Sequence, residues 1–293
     1  MTDVVVVGGI YREILDGDSK ARRRMGGSGL VAAILASRMG ASTSLASFVG
    51  EEDEVAAIAT LHAGGVESAG VIVLTGASGT FVFPTDASQP WPMYRPAESI
   101  PDRIPAVPSA RTYVLFGMPD FDPVAAGWLR DMPAESVLLW DRQGWLSRAR
   151  DDSGALSLPA TSKILLANDE ETRAATGTLE PGELTVRLPP AGFRAAIVKR
   201  GREGCVVFER GAQTRVVSGF PVDTRDTIGS GDAFAGGLAS AMARGLELAA
   251  AAATANAVAS AFLRLGADPL APDLPSVANR LLDKNAQLGI DSN

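Results

Sequence analysis

Short β-branched or apolar runs alternate with longer stretches of helical period along almost the whole chain, and few architectures satisfy that alternation. The strand-like runs fall at 4–7, 43–49, 112–116, 137–140, 163–166, 195–199 and 205–208. Between them the 3.6-residue period predicts helices at 30–39, 55–63, 123–130, 170–176, 232–244 and 246–265. Strands apolar on both faces, separated by helices long enough to cross over a sheet, imply a mostly parallel sheet covered on each side. The expected fold class is therefore a doubly wound α/β protein, its mostly parallel sheet flanked by helices.

Two segments break the rhythm, 10–25 and 71–101, where the helical period disappears. The second reads as strands at 71–74 and 80–83 followed by a Pro-rich run through Trp91 and Tyr94. Strands without a covering helix can pair with each other, so these segments are expected to form a small β lid over a substrate site. Residues 1–9, 26–70 and 102–293 would then make the nucleotide-binding core. Ordinary surface loops are the alternative.

Charge and composition narrow the class. A net charge of −7 with the two signs interspersed leaves no basic surface to track a nucleic acid, so partners should be small molecules. Cys205 and His62 are the single cysteine and histidine, which excludes an internal disulfide and any thiolate or imidazole metal cluster. Without a basic n-region at the start, and with Thr254, Asn256 and Arg264 interrupting the alanine-rich stretch, neither a signal peptide nor a membrane span is expected. A cytoplasmic location is the expectation.

The most informative stretch is Asp226-Thr227-Ile228-Gly229-Ser230-Gly231-Asp232-Ala233-Phe234-Ala235-Gly236-Gly237. It opens a long helix. Gly229 and Gly231 permit a tight turn that aims backbone N–H groups at one spot before the helix N-terminus, a natural place for phosphate. An isolated aspartate there would be an N-cap. Two glycines, a serine and two aspartates within seven positions exceed what capping requires, and they set a carboxylate beside an anion hole, where it can take a proton from an attacking hydroxyl.

These residues resemble the C-terminal signature of the ribokinase-like (PfkB) carbohydrate kinase family, usually Asp-Thr-x-Gly-Ala-Gly-Asp, with Ser230 in place of alanine. The resemblance implies a ribokinase-like fold and ATP as phosphoryl donor. It makes Asp232 the catalytic base, with Gly229, Ser230 and Gly231 forming the anion hole and Thr227 close to the nucleotide. Asp226 corresponds to a residue that in many members helps hold a monovalent cation such as K+. Further along the family's order of motifs, Asn168 and Glu171 match an Asn-x-x-Glu pattern that organises Mg2+ around the phosphates, with Glu171 acting through water. Gly201 and Gly204 match a nucleotide-side Gly-x-x-Gly loop from which Lys199 or Arg202 would reach a phosphate, and Asn256 falls in a segment similar to the family's adenine edge. Gly26 and Gly27 match the double-glycine element whose backbone lies against the substrate. Glu13, or Asp16 after a small shift, takes the place of an aspartate that binds substrate hydroxyls.

The pattern also departs from the family. Val31 stands where an asparagine commonly contacts substrate hydroxyls, and Asp141-Arg142-Gln143-Gly144-Trp145 differs from the Asp-Pro-Asn-x-Arg run of the fructokinase and ketodeoxygluconate kinase branches. The leading expectation is an ATP-dependent kinase acting on a hydroxyl of a sugar, sugar acid or cyclitol. A nucleoside kinase is the alternative, and a non-catalytic ligand sensor a more distant one. No Gly-x-Gly-x-x-Gly follows the first strand and no Walker A sequence is present, which disfavours a Rossmann dehydrogenase or a P-loop enzyme. By analogy with several relatives, the exposed edges of the lid would suit a homodimer contact.

Overall fold

The computed structural model describes residues 2–16, 22–84, 92–101, 107–117, 132–141, 143, 162–187, 192–224 and 226–287. The helix expected at 123–130 and the aromatic Trp91 lie outside them. In chain order the first half contains β1 (Thr2–Val7), β2 (Tyr11–Asp16), β3 (Arg22–Gly26), α1 (Ser28–Arg38), β4 (Thr43–Gly50), α2 (Glu54–Ala63), β5 (Glu67–Leu74), β6 (Thr80–Pro84), β7 (Met93–Arg95) and β8 (Ala110–Phe116). The second half contains β9 (Val137–Asp141), β10 (Ser162–Asn168), α3 (Asp169–Thr176), α4 (Pro181–Arg187), β11 (Phe193–Lys199), β12 (Gly204–Glu209), β13 (Arg215–Ser218), α5 (Ser230–Ala243), α6 (Leu248–Arg264) and α7 (Leu274–Gln287).

Nine strands form one sheet in the order β13-β12-β11-β10-β9-β8-β1-β4-β5. Pairing is parallel from β5 through to β11 and antiparallel at β11–β12 and β12–β13. This is the expected doubly wound arrangement, a mostly parallel sheet flanked by helices. Interior β1 shows why its sequence ends in four valines: Val4, Val5, Val6 and Val7 are fully buried, as a strand with neighbours on both edges and helices on both faces requires. On one face α5 lies directly on α1. A Cβ at Gly236 would come within 2.5 Å of the Ala32 carbonyl oxygen, so only glycine permits that approach. Ser240 Oγ fixes the pair by donating to Met39 O at 3.1 Å.

A second sheet of four strands, ordered β3-β2-β6-β7, stands apart. Segments 10–25 and 80–83 do pair with each other, β2 running parallel to β6. Residues 71–74, expected in the lid, belong instead to β5, the edge strand of the main sheet, where they pair with β4. A short apolar run reads alike in either sheet; what decides is the helix α2 before it, which brings β5 back parallel to β4 in the usual βαβ crossover.

Arg12 ties the small sheet to the core, its Nε donating to Asp53 Oδ1 and its Nη2 to Glu52 Oε2, both at 2.7 Å. Asp53 Oδ2 also accepts from Ser78 N at 3.2 Å. Burial alone would raise the Asp53 pKa; hydrogen bonds from Arg12 and Ser78 outweigh it and hold the carboxyl below its ordinary value. A depressed carboxyl stabilises the fold above its unfolded pKa of about 3.9 and ceases to do so as pH falls through the lower folded value. Arg12→Ala should therefore cost about 1 kcal/mol in urea unfolding, unchanged from pH 8 to 5 and shrinking below about pH 4. A cost independent of pH down to 3 would mean that Arg12 contributes through packing alone.

Candidate active site

Parallel strands all end on the same side, and in open α/β sheets ligands bind beyond those carboxyl ends. Here the ends deliver Asp141 from β9, Asn168 from β10 and Lys199 from β11. The small sheet faces them, and the N-terminus of α5 closes one side. A cleft of about 810 Å³ lies between, lined by Tyr11, Glu13 and Phe83 on the small-sheet side and by Asp141, Lys199 and Asp232 on the core side.

The stretch 226–232 forms its turn through its own polar groups. Asp226 Oδ1 accepts from Ile228 N at 3.0 Å and Ser230 N donates to Thr227 O at 3.1 Å. Gly229 precedes α5 with φ 80°, left-handed backbone that a residue with a Cβ would adopt only under strain. The Ser230 amide is thereby used within the turn, so the anion hole expected of Gly229, Ser230 and Gly231 draws on the first-turn amides that follow and on the positive end of a 14-residue helix.

Asp232 stands in that first turn and accepts from Gln143 Nε2 at 3.1 Å through Oδ1. Its pKa is pushed up to about 7, foremost by burial and then by the Asp141 charge, with a smaller upward push from Glu13; Lys199 and the Gln143 hydrogen bond act against them. Lys199 Nζ donates to Asp141 Oδ2 at 2.6 Å, and Asp141 is 1% exposed. Burial works against the ammonium charge, yet Asp141, Glu171 and Asp232 together hold the Lys199 pKa above its ordinary value. The floor of the cleft is a fixed cation between carboxylates, beside a helix N-terminus.

Other expected residues separate by location. Glu13 lines the cleft: its Oε1 accepts from Gly27 N at 2.9 Å and its Oε2 from Arg24 Nε at 2.7 Å, and a Cβ on Gly26 would strike this carboxylate at 2.2 Å. Asp16, the alternative to Glu13, ends β2, and its side chain lies outside the described ones. Asn168 and Glu171 form a reciprocal capping box, each side chain accepting from the other's backbone N–H at 2.8 Å. Both also face the cleft. Among the described residues no group of three or more His, Cys, Asp or Glu is set to hold a metal. An Asn and a Glu at the cleft edge fit a magnesium ion that keeps most of its waters and takes its other oxygens from phosphates.

Gly201, Gly204, Thr227 and Asn256 also line the cleft. Asn256 Nδ2 donates to Val217 O and Ser218 O at 3.2 Å each, fastening α6 to the edge strand β13 as well. Asp226 is exposed. Asp141 and Gln143 are the site residues that sequence reasoning did not single out. Asp141 carries one recoverable signal, an acidic residue closing an apolar strand at the ligand-binding edge.

Residues 142–267 match the model of the pfkB family carbohydrate kinases. The fold is ribokinase-like. No curated protein matches the sequence. Among solved structures, adenosine kinase from Sinorhizobium meliloti superposes with a TM-score of 0.78 at 18% identity, covering 95% of this chain and 99% of that one. Burkholderia thailandensis nucleoside kinase in complex with inosine gives 0.75 at 19% identity over 96% and 98% of the two chains. Ribokinase from Cryptococcus neoformans var. grubii serotype A in complex with ADP gives 0.75 at 16% over 96% and 100%. No described helix is long and apolar enough to cross a membrane.

Proposed function

We propose that this chain is a PfkB-family kinase that transfers the γ-phosphoryl group of ATP to a hydroxyl of a small molecule, with Asp232 as general base. The observation that carries the reading is Asp232 itself, a carboxylate at a helix N-terminus, on the cleft floor, with a pKa near neutrality. A base so tuned is partly deprotonated at neutral pH and still able to hold a proton. As the acceptor oxygen bonds to phosphorus and the bond to the departing diphosphate breaks, the hydroxyl proton passes to Asp232, while the α5 amides and Lys199 meet the charge on the transferring group. Asn168 and Glu171 are assigned to Mg2+, Asp226 to a monovalent cation, and Gly201, Gly204, Thr227 and Asn256 to the nucleotide. That a ribokinase of the same fold is found in complex with ADP supports a nucleotide as the donor.

For the acceptor, carbohydrate is the family's usual class, but a specific feature favours a nucleoside. The strand register sets Glu13 opposite Phe81 and Phe81 opposite Tyr94, so Tyr11, Glu13, Phe81, Phe83 and Tyr94 share one face of the small sheet. Tyr11, Phe81 and Phe83 line the cleft, and Phe81 packs on Tyr94 with ring centroids 4.7 Å apart. One carboxylate among aromatics suits a ring carrying a few hydroxyls better than a bare sugar, which needs many polar partners. The test is a screen of nucleosides beside sugars, sugar acids and cyclitols, read as ADP formation. Phe83→Ala should raise the KM for the preferred acceptor about tenfold, as the loss of one stacking contact implies, and leave the KM for ATP within twofold. A sugar as best acceptor with Phe83→Ala silent would remove the nucleoside reading. The outer strands of the small sheet, β3 and β7, remain our candidates for a homodimer contact.

A further inference from the structure

Gln143 follows β9 with a backbone φ of 55°, a left-handed conformation uncommon for a side chain of its size. Its amide N–H turns back to Asp141 Oδ1 at 3.3 Å. That turn sends the side chain into the cleft, where Nε2 meets Asp232 Oδ1 across 89 positions of sequence. Asp232 Oδ2 lies on the other side of the carboxylate, 4.0 Å from where a Cβ on Gly229 would stand. One oxygen is thus held by a neutral donor while the other is presented to the start of α5.

We propose that Gln143 is a positioning residue for the base: it holds Asp232 Oδ1 so that Oδ2, turned toward the anion hole, is the oxygen that takes the acceptor proton. The proposal rests on the assignment of Asp232 as base. Strained backbone is retained where the surrounding structure compensates for it, and here the compensation is a contact between the two sides of the cleft floor. The groups that face Asp232 are Asp141 from β9, Lys199 from β11, Glu13 from β2 and Gln143. Only Gln143 is uncharged. Its removal therefore leaves the net charge of the site intact while withdrawing a hydrogen bond that favours the ionised carboxylate.

Two variants test this, Gln143→Met, which keeps length without a donor, and Gln143→Ala. The pH dependence of kcat/KM is read together with the 13C titration of the Asp232 carboxyl in aspartate-labelled protein, its resonance assigned by its loss in Asp232→Asn. The expected result is an acid limb moved to higher pH in both variants, a carboxyl titration moved the same way, a loss of about tenfold in kcat at neutral pH that narrows above pH 8, and an unchanged KM for ATP. If both titration and pH profile coincide with wild type while Asp232→Asn is inactive, Gln143 does not position the base. If Asp232→Asn retains turnover, the base assignment fails and the role of Gln143 with it, whatever the titration shows.

Discussion

Asp232→Asn is expected to lower kcat by about 10² to 10⁴-fold, the usual cost of removing a general base, with ATP binding close to wild type. The amide keeps the shape and cannot take the proton. In the wild-type protein the rate should fall below about pH 7, where the carboxyl becomes protonated. The same shift has a consequence for stability. Because the folded protein binds this proton more tightly than the unfolded chain does, the carboxyl favours the native state least above its folded pKa, and stability declines as pH rises from the ordinary aspartate range to about 7. The Asn variant escapes that decline. Its melting temperature relative to wild type should be higher at pH 8 than at pH 5. Near-normal turnover in purified Asp232→Asn would remove Asp232 from its role.

The second large effect belongs to Lys199→Met. The Lys199 and Asp141 side chains are 16% and 2% exposed and lie 2.6 Å apart. Removing one partner of a buried pair strands the other charge, which typically costs about 3 to 5 kcal/mol. Turnover should collapse as well, because Asp232 loses the Lys199 charge that lowers its pKa and Asp141 then acts on it without that compensation. Urea unfolding separates the two effects: Lys199→Met/Asp141→Asn should recover more than half of the lost stability and none of the activity. A single variant within 1 kcal/mol of wild type would show that Asp141 is relieved by some other group.

Chemistry was easier to read from the sequence than position. The stretch 226–232 is contiguous, so its turn, its helix start and its carboxylate could be recognised together. Asp141 and Gln143 lie 58 residues from Lys199 and 89 from Asp232, and no local pattern announces that three strand ends and a helix start converge. Local period fails differently at the edges. The strand β13, Arg215–Ser218, is largely exposed and lacks a buried alternation, while α7 begins Leu274-Pro275 and shows its apolar side only at spaced positions such as Ala278 and Leu281. Assigning 71–74 to the small sheet was an error of the same origin, since β-branched residues report burial and extension but not which sheet they join.

The small sheet enters the chain as two insertions, residues 11–26 between β1 and α1 and residues 80–95 between β5 and β8. Everything assigned to phosphate handling lies outside them, and the aromatic face lies within them. On the proposed assignment, acceptor preference and reaction chemistry are separately editable: an exchange of these two cassettes with a relative, keeping Arg12 with Asp53 and Arg24 with the Ala267 carbonyl as the joints, should alter what is phosphorylated without rebuilding how. A lineage can thus wander among acceptors through changes confined to a small fraction of its length, under no pressure to reinvent the base, the cation and the helix that serve them all.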